Sequence, residues 1–360
     1  MAGSIPLDHL IGQPNILNFA ANQQSVSQMD RTGLYDFLLL TLSYTATNAG
    51  YSAQSTMVGS NFYEQVLNLV QNVTLTATAN SAGGTTDTVC NTDLLSLAVY
   101  QYYYSGGTIP GTPFSSFSNA AFNVSAGVKI PFVDPWSNKP GLTRMDARLL
   151  SQLQLQVNWR DSTAVAAGGT GGTTTISNAQ IVVTVREWQN VPQRIRPWQR
   201  ISFRQQQIVS QQNALQWNNV PVQQVLRREF LQGIVPAVAG YNYGWSSAAA
   251  FGSTGQAQGP MYQLKLNNTV PVLNTALSAL IQDNPELLEL TNNAWGSVNG
   301  AIPGWYVYEP ARNKRLSNAI PMWGINTASN YIDVAAPGTY GSYVRFTDVE
   351  IVGATEADLT

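Results

Sequence analysis

Seven consecutive residues, Leu153-Gln-Leu-Gln-Val-Asn-Trp159, alternate apolar and amide without a break. Side chains on an extended strand point to opposite faces in turn, so Leu153, Leu155, Val157 and Trp159 must share one face. A helix would scatter them. The same period returns in Val73, Leu75 and Ala77 against Thr74, Thr76 and Thr78, and again in Val183 and Val185 within 181–188. Further strands are predicted at Gly33–Ser43, Phe122–Phe132, from Val222 onward, at 262–266, 305–308 and 343–352. Turn signals such as Asn48-Ala-Gly50 and Asp134-Pro135 separate them. Helices are predicted only at Leu94–Tyr103, opened by Asn91-Thr-Asp93 with Asn91 or Thr92 as its cap, and at 274–290, with a short polar one at Ala20–Ser27. The pattern is that of an all-β sandwich or barrel protein.

The chain of 360 residues is long enough for two such modules. It is 44% hydrophobic but only 11% charged, against about 25% in ordinary soluble domains. Its polarity comes from Gln, Asn, Ser and Thr. One cysteine, Cys90, excludes an intrachain disulfide and a Cys-based zinc site. One histidine, His9, excludes a multi-histidine metal site and leaves a single base for any Ser-His-Asp triad. No cofactor or metal site is expected. No transmembrane helix or signal peptide is expected either, which predicts synthesis in the cytoplasm.

The charges are unevenly placed. Residues 1–143 hold three cations and seven acids, whereas residues 186–228 hold seven arginines and one acid, Glu187. The arginines at 194, 196, 200 and 204 fall in a Gln-rich stretch punctuated by Pro192 and Pro197. It is read as a linker whose arginines bind carboxylates of the flanking modules; contact with lipid headgroups or nucleic acid is the sharper alternative. No motif supports sequence-specific nucleic-acid binding.

Individual residues add little chemistry. His9 is expected to be a surface or contact residue, and Cys90 a buried inert thiol. Asp134-Pro-Trp136 and Trp323-Gly offer aromatic platforms for sugars but are better explained by packing. Asp87, Asp93, Asp146 and Asp161 fit caps and turns rather than a glycosidase pair. Gly168-Gly-Thr-Gly-Gly lacks the Lys-Ser/Thr of a phosphate loop. Three glycosylation sequons begin at Asn72, Asn123 and Asn267.

The chain resembles itself. Asn91-Thr92-x-Leu94-x-x-Leu97 recurs as Asn274-Thr275-x-Leu277-x-x-Leu280, 183 residues later. Gly33–Ser43 has a counterpart near Val220–Phe230, and Ile181–Trp188 one near Arg345–Val352, in the same order. Two β-modules follow: an arm at 1–30, a first module at 31–189, a basic linker at 190–206, a second module at 207–354 and an acidic tail at 355–360.

Two tandem β-modules, each with a helix after an early strand, resemble the double jelly-roll major capsid proteins of tailless icosahedral phages with an internal membrane, the tectivirus group in particular. The opening Arg31-Thr-Gly-Leu-x-x-x-Leu-x-Leu and the amide-rich composition belong to the likeness. The resemblance implies two tandem jelly-roll sandwiches and a non-enzymatic, structural protein of the virion. It implies a homotrimer of pseudo-hexagonal outline, tiling a shell with neighbouring capsomers, penton and minor capsid proteins above the inner membrane surface. Arg194, Arg196, Arg200 and Arg204 would then contact the inner layer or tie the modules. Ile11, Ile16, Leu17 and Phe19 of the arm would dock on a neighbour, since the arm has no cation before Arg31 to favour a membrane. Loops at 105–120, 162–175 and 240–260 are candidates for the exterior. A receptor- or carbohydrate-binding β-sandwich, such as a spike or lectin, shares the strands and aromatics and is the main alternative; a β-sandwich glycoside hydrolase is the third.

Overall fold

The computed structural model describes residues 4–50, 66–80, 84–105, 121–165, 172–218, 220–235, 245–252, 259–267, 270–288, 290, 302, 304–337 and 342–360. Of the expected loops, 106–120 lies outside them, as do 166–171 with most of the glycine run from Gly168, 240–244 and 253–258; the described ends of 162–175 are a single helical turn at Ser162–Ala164 and a strand from Thr173. The chain divides into two compact units, Met1–Ser202 and Phe203–Thr360.

The first unit contains β1 (Ile5–Leu10), β2 (Ile16–Asn18), β3 (Gln24–Gln28), β4 (Leu34–Ala49), β5 (Val70–Ala79), β6 (Thr86–Thr92), α1 (Leu94–Tyr104), β7 (Ala121–Pro131), β8 (Met145–Asp146), β9 (Leu150–Trp159) and β10 (Thr173–Gln189). One sheet runs β1-β10-β4-β7, with β2 on β10 and β8 on β4; the other runs β6-β5-β9-β3. Their inner faces carry the alternating residues. Leu38, Leu40, Leu42, Val183 and Val185 on one side, and Val73, Leu75, Leu155, Val157 and Trp159 on the other, are all buried. Burial of each such side chain contributes about 1.5–3 kcal/mol. Helix α1 is apolar nearly all round and accordingly buried, packed on β5 and β7. Its cap is Asp93, which accepts from the Ser96 N–H at 2.6 Å, rather than Asn91 or Thr92, which end β6.

Residues 4–30 do not form a separate arm. β1 and β2 pair with β10, and β3 pairs with β9 from Gln24↔Asn158 to Gln28↔Gln154. The helix expected at Ala20–Ser27 is therefore replaced by strand β3. Its hydrogen-bonding capacity goes to the exposed edge of β9, and Ser27 donates to the Pro14 carbonyl. Ile11 and Leu17 are buried within this unit, so they are not free to dock elsewhere.

Strand β11 (Trp198–Ile208) begins in the first unit, where Ile201 and Ser202 run parallel to Cys90 and Asn91 of β6. The stretch expected to be linker is thus coil only at 191–197. The second unit continues with β12 (Gln212–Trp217), β13 (Val225–Val235), β14 (Trp245–Ser246), β15 (Met261–Leu266), β16 (Val270–Ala276), α2 (Leu277–Leu287), β17 (Trp305–Tyr308), β18 (Ile320–Pro321), β19 (Ala328–Val334), β20 (Ser342–Val352) and α3 (Glu356–Leu359). One sheet runs β11-β20-β13, with β14, β17 and β18 also on β13; the other runs β12-β19-β15-β16. Trp217, Phe251, Tyr262, Leu280, Tyr306, Ile332 and Phe346 fill the space between. Gly233 is required where it stands: a Cβ there would meet the Ser247 carbonyl at 2.6 Å and the Phe251 ring at 2.5 Å.

The two units repeat one plan. β4 and β10 correspond to β13 and β20, β7 to β17, and β6-β5-β9-β3 to β16-β15-β19-β12. The repeated Asn-Thr-x-Leu lies at the same place in each. Asn91-Thr92 ends β6 and Leu94 opens α1; Asn274-Thr275 lies at the end of β16 and Leu277 opens α2. The second helix therefore starts three residues later than expected, because 270–276 extends the strand. The acidic tail is a short helix, α3, closed by a capping box between Thr355 and Asp358. Among the described residues no helix is long and apolar enough to cross a membrane.

Candidate functional site

The arginines of 186–228 do not form one basic surface. Each unit draws some of them into its own carboxylates.

In the first unit the focus is Asp146, which ends β8, and the turn after it. Arg148 grips both Asp146 oxygens at 2.7 Å and donates a third bond to the Val191 carbonyl at 2.8 Å. The Arg194 backbone N–H also points to Asp146, at 3.3 Å. Beside it Arg144 donates to Asp36 of β4 at 2.6 Å and lies over the Trp188 ring, while the Trp188 indole N–H donates to the second Asp36 oxygen at 2.8 Å. Both carboxylates are thus engaged. Arg196 is not: its buried Nε–H has no acceptor. Burial, and then the guanidiniums of Arg194, Arg144 and Arg148, push Arg196 below the usual guanidinium range, with Asp146 opposing them.

In the second unit Arg204 forks onto Asp348 at 2.7 and 2.9 Å, and reaches Glu229 at 3.2 Å and Asn330 at 3.0 Å. Tyr262 donates to Glu229, and the Asn330 amide donates to both Glu229 and Tyr262. Burial and the Asp348 charge push Glu229 up to about 8. Burial works against the Arg204 cation, yet Asp348 and Glu229 outweigh it and hold its pKa above the usual range. Next to this set Arg227 and Arg228, fully buried on β13, both pair with Glu309. These are core polar networks.

The four arginines singled out in the sequence are therefore not brought together as one surface. Arg194 is exposed and Arg196 and Arg200 half-buried in the first unit, whereas Arg204 is held in the second. Arg144, Arg148, Asp36 and Trp188 were missed. The alternation Arg144-x-Asp146-x-Arg148 was the available signal, although only Met145–Asp146 is strand and Arg148 reaches back to Asp146 from a helical turn at Ala147–Leu149. Of the docking candidates only Ile16 is clearly exposed; Phe19 packs edge-on against Trp159.

The remaining candidates have structural roles. His9 pairs with Glu187 at 3.1 Å. Cys90 is buried, and burial pushes its thiol up to about 12. Asp134 accepts from the Trp136 N–H, and the Trp136 ring is buried against Tyr104. Asp93 and Asp161 cap helical turns. Among the described residues no group of three or more His, Cys, Asp or Glu is placed to hold a metal ion.

No protein-family model matches the sequence, and no curated protein matches it. Solved structures do. The major capsid protein of Sulfolobus Turreted Icosahedral Virus aligns at TM-score 0.63 and 12% identity, over 97% of this chain and 96% of that one. The Faustovirus major capsid protein aligns at 0.59 and 9%, over 98% and 90%. Major capsid protein P2 of bacteriophage PM2 aligns at 0.54 and 8%, over 97% and 99%. The fold is the double jelly roll. Near-complete coverage of both partners means that both rolls are matched in order. At these identities the likeness resides in the strand plan, which low-charge, alternating sequences of many kinds satisfy.

Proposed function

We propose that this double jelly-roll chain is a viral major capsid protein. Its activity is self-assembly, without catalysis, and its place is the shell of the virion. The observation that carries the reading is that the strand plan, repeated in both units, aligns end to end with capsid proteins over 97% or more of this chain. Three copies of a two-roll chain supply six similar rolls, the number a pseudo-hexagonal tile needs. The flanks suit repeated burial, being low in charge and rich in amides and aromatics, with nine Trp and sixteen Tyr. Ile5, Leu7, Leu10 and Ile16 lie exposed on β1 and β2, at a sheet edge that a neighbouring copy would cover. Partners are other copies, penton and minor capsid proteins, and the inner membrane surface.

Negative-stain microscopy of the purified protein, with its light-scattering mass, tests the reading. Near-hexagonal particles of three times 39.0 kDa, or closed shells, are expected. A monomer, or an elongated trimer without hexagonal outline, would overturn it in favour of a ligand-binding β-sandwich.

A further inference from the structure

On the outer face of the first unit, strands β1, β10, β4 and β7 set Asp8, Arg186, Phe37 and Pro131 in one cross-strand row. Helix α1 closes the β7 edge beside that row, where the Gln101 side chain accepts from the Lys129 backbone N–H at 3.1 Å. A cavity of about 240 Å³ lies there. Phe37, Tyr104, Pro131 and Pro135 wall it, and Lys129, Arg186 and Asp36 are its charged lining. An apolar cavity of about 150 Å³ already accommodates a benzene ring.

The charges here do not cancel. Arg186 is held by both oxygens of Asp8, and Asp36 by Arg144 and Trp188. Lys129 is left over. Among the described residues no carboxylate lies within ion-pair distance of it. Its half-buried side chain puts the ammonium 4.6 Å from the centroid of the Phe37 ring, which the Arg186 guanidinium also approaches, at 5.3 Å. Burial, and then the Arg186 charge, hold Lys129 below the usual lysine range, with Asp8 opposing them. An anion in the cavity would offset the repulsion between the two cations. The walls narrow the choice of anion. Tyr104 lies tilted over Tyr100 with ring centroids 5.1 Å apart and meets Trp136 edge-on at 6.3 Å. An aromatic guest would extend that cluster, whereas a hydrated inorganic anion would leave the rings and prolines in water.

We propose that this cavity binds a small aromatic carboxylate, its carboxylate on the Lys129 ammonium and its ring among Tyr104, Pro131 and Pro135. The proposal stands on the first unit alone and does not depend on the capsid reading.

Calorimetric titration of the full chain with benzoate tests it, with benzyl alcohol and inorganic phosphate as parallel arms. Benzoate should bind saturably at one per chain. The alcohol lacks the charge and phosphate lacks the ring, so each should bind at least about tenfold more weakly. Lys129→Gln should weaken benzoate binding about tenfold, and Lys129→Arg by less, since it keeps the charge. A second measurement needs no variant. The chain has four lysines, at 129, 139, 265 and 314. Saturating benzoate should slow reductive methylation of Lys129 severalfold and leave the other three unchanged, as read by peptide mass mapping. Absence of saturable benzoate binding would overturn the proposal. So would unchanged affinity in Lys129→Gln, no selective protection of Lys129, or either control binding as tightly as benzoate.

Discussion

Strands β4 and β13 occupy the same place in the two rolls and are built on opposite terms. From Leu38 to Asn48, β4 alternates buried and half-buried residues, with Leu39, Thr41, Ser43, Thr45 and Thr47 on the outer face. β13 is buried at every position from Val225 to Ile234, Arg227, Arg228 and Glu229 included. The chain that follows β17 meets it: Glu309 pairs with Arg227 and Arg228, and Ile320 and Pro321 lie against Leu226 and Val225. The arginines that pair in the first roll keep 25% or more of their side chains exposed, whereas Arg204, Arg227 and Arg228 of the second keep 11% or less; Arg312–Asp283 is the second roll's exposed pair. Charge inside a fold is tolerated only when paired, and a pair contributes little beyond its own desolvation cost. The second roll should therefore be the more sensitive to losing one partner, without being the more stable for having both.

The largest expected effect tests that asymmetry. Glu309→Ala deprives both Arg227 and Arg228 of a carboxylate where side-chain exposure is 0%. Breaking such a pair costs about 3–5 kcal/mol. Asp146→Ala deprives Arg148, 25% exposed, which can turn to water; the loss there should be nearer 1 kcal/mol. Urea unfolding of the two variants decides, and equal losses would erase the distinction between the rolls.

An effect spread over several pH units should appear as well, and with opposite sign in the two units. Glu229, pushed up to about 8, keeps its proton in the folded second unit while the unfolded chain releases it near 4.5. The folded state then binds more protons, so stability falls as pH rises from about 4.5 to about 8, by at most about 1.4 kcal/mol per pH unit. Glu187 in the first unit is the reverse case. Burial raises its pKa, but hydrogen bonds from Thr32, Gln189 and His9 outweigh this and hold it below the usual value. Its contribution is present above the ordinary carboxylate range and is lost as pH falls through the folded value. Opening free energies from amide exchange, followed at Leu231 and Phe346 for the second unit and Leu40 and Val183 for the first, should slope in opposite directions. Glu229→Gln should flatten the second slope alone. Parallel slopes in both units would show that the buried carboxylate is not the source.

The same contrast explains what could be read from the sequence. Leu153–Trp159 and Val73–Thr78 declared their faces because one side of each strand is core and the other is not. The repeated Asn-Thr-x-Leu marked a real junction, since both strands must end where a buried leucine begins a helix. β13 reads as a strand from Val222 onward, but its charges are not placed: Arg227 and Arg228 count only in the basic stretch 186–228. Their partners lie far away in the chain, Glu309 at 82 residues from Arg227 and Asp348 at 144 from Arg204. No local pattern reports such pairing. β1 to β3 were hidden for another reason. They are short, carry Pro6 within β1 and Pro14 just after it, and pair only with the edges of β10 and β9. The cluster at Asp146 failed similarly, being assembled from β4, β8, β10 and the 191–197 coil.

The smallest effect isolates burial from geometry. Arg186 grips Asp8 through Nε and Nη2 at 2.7 and 2.5 Å, and Arg204 grips Asp348 through the same two atoms at 2.7 and 2.9 Å. The forks are alike, but the side chains are 45% and 50% exposed in the first pair and 11% and 0% in the second. In water the charges are screened and both side chains lose rotamer freedom, so a double-mutant cycle through Arg186→Ala and Asp8→Ala should give a coupling below about 1 kcal/mol. Raising the salt to 1 M, where the Debye length is about 3 Å, should abolish it. The cycle through Arg204→Ala and Asp348→Ala should give a larger coupling that salt barely moves, because no counterion reaches Asp348. If the exposed pair proved as strong and as salt-resistant as the buried one, fork geometry rather than burial would govern both. The opposition between the two rolls would then reduce to a difference in where the same bond is placed.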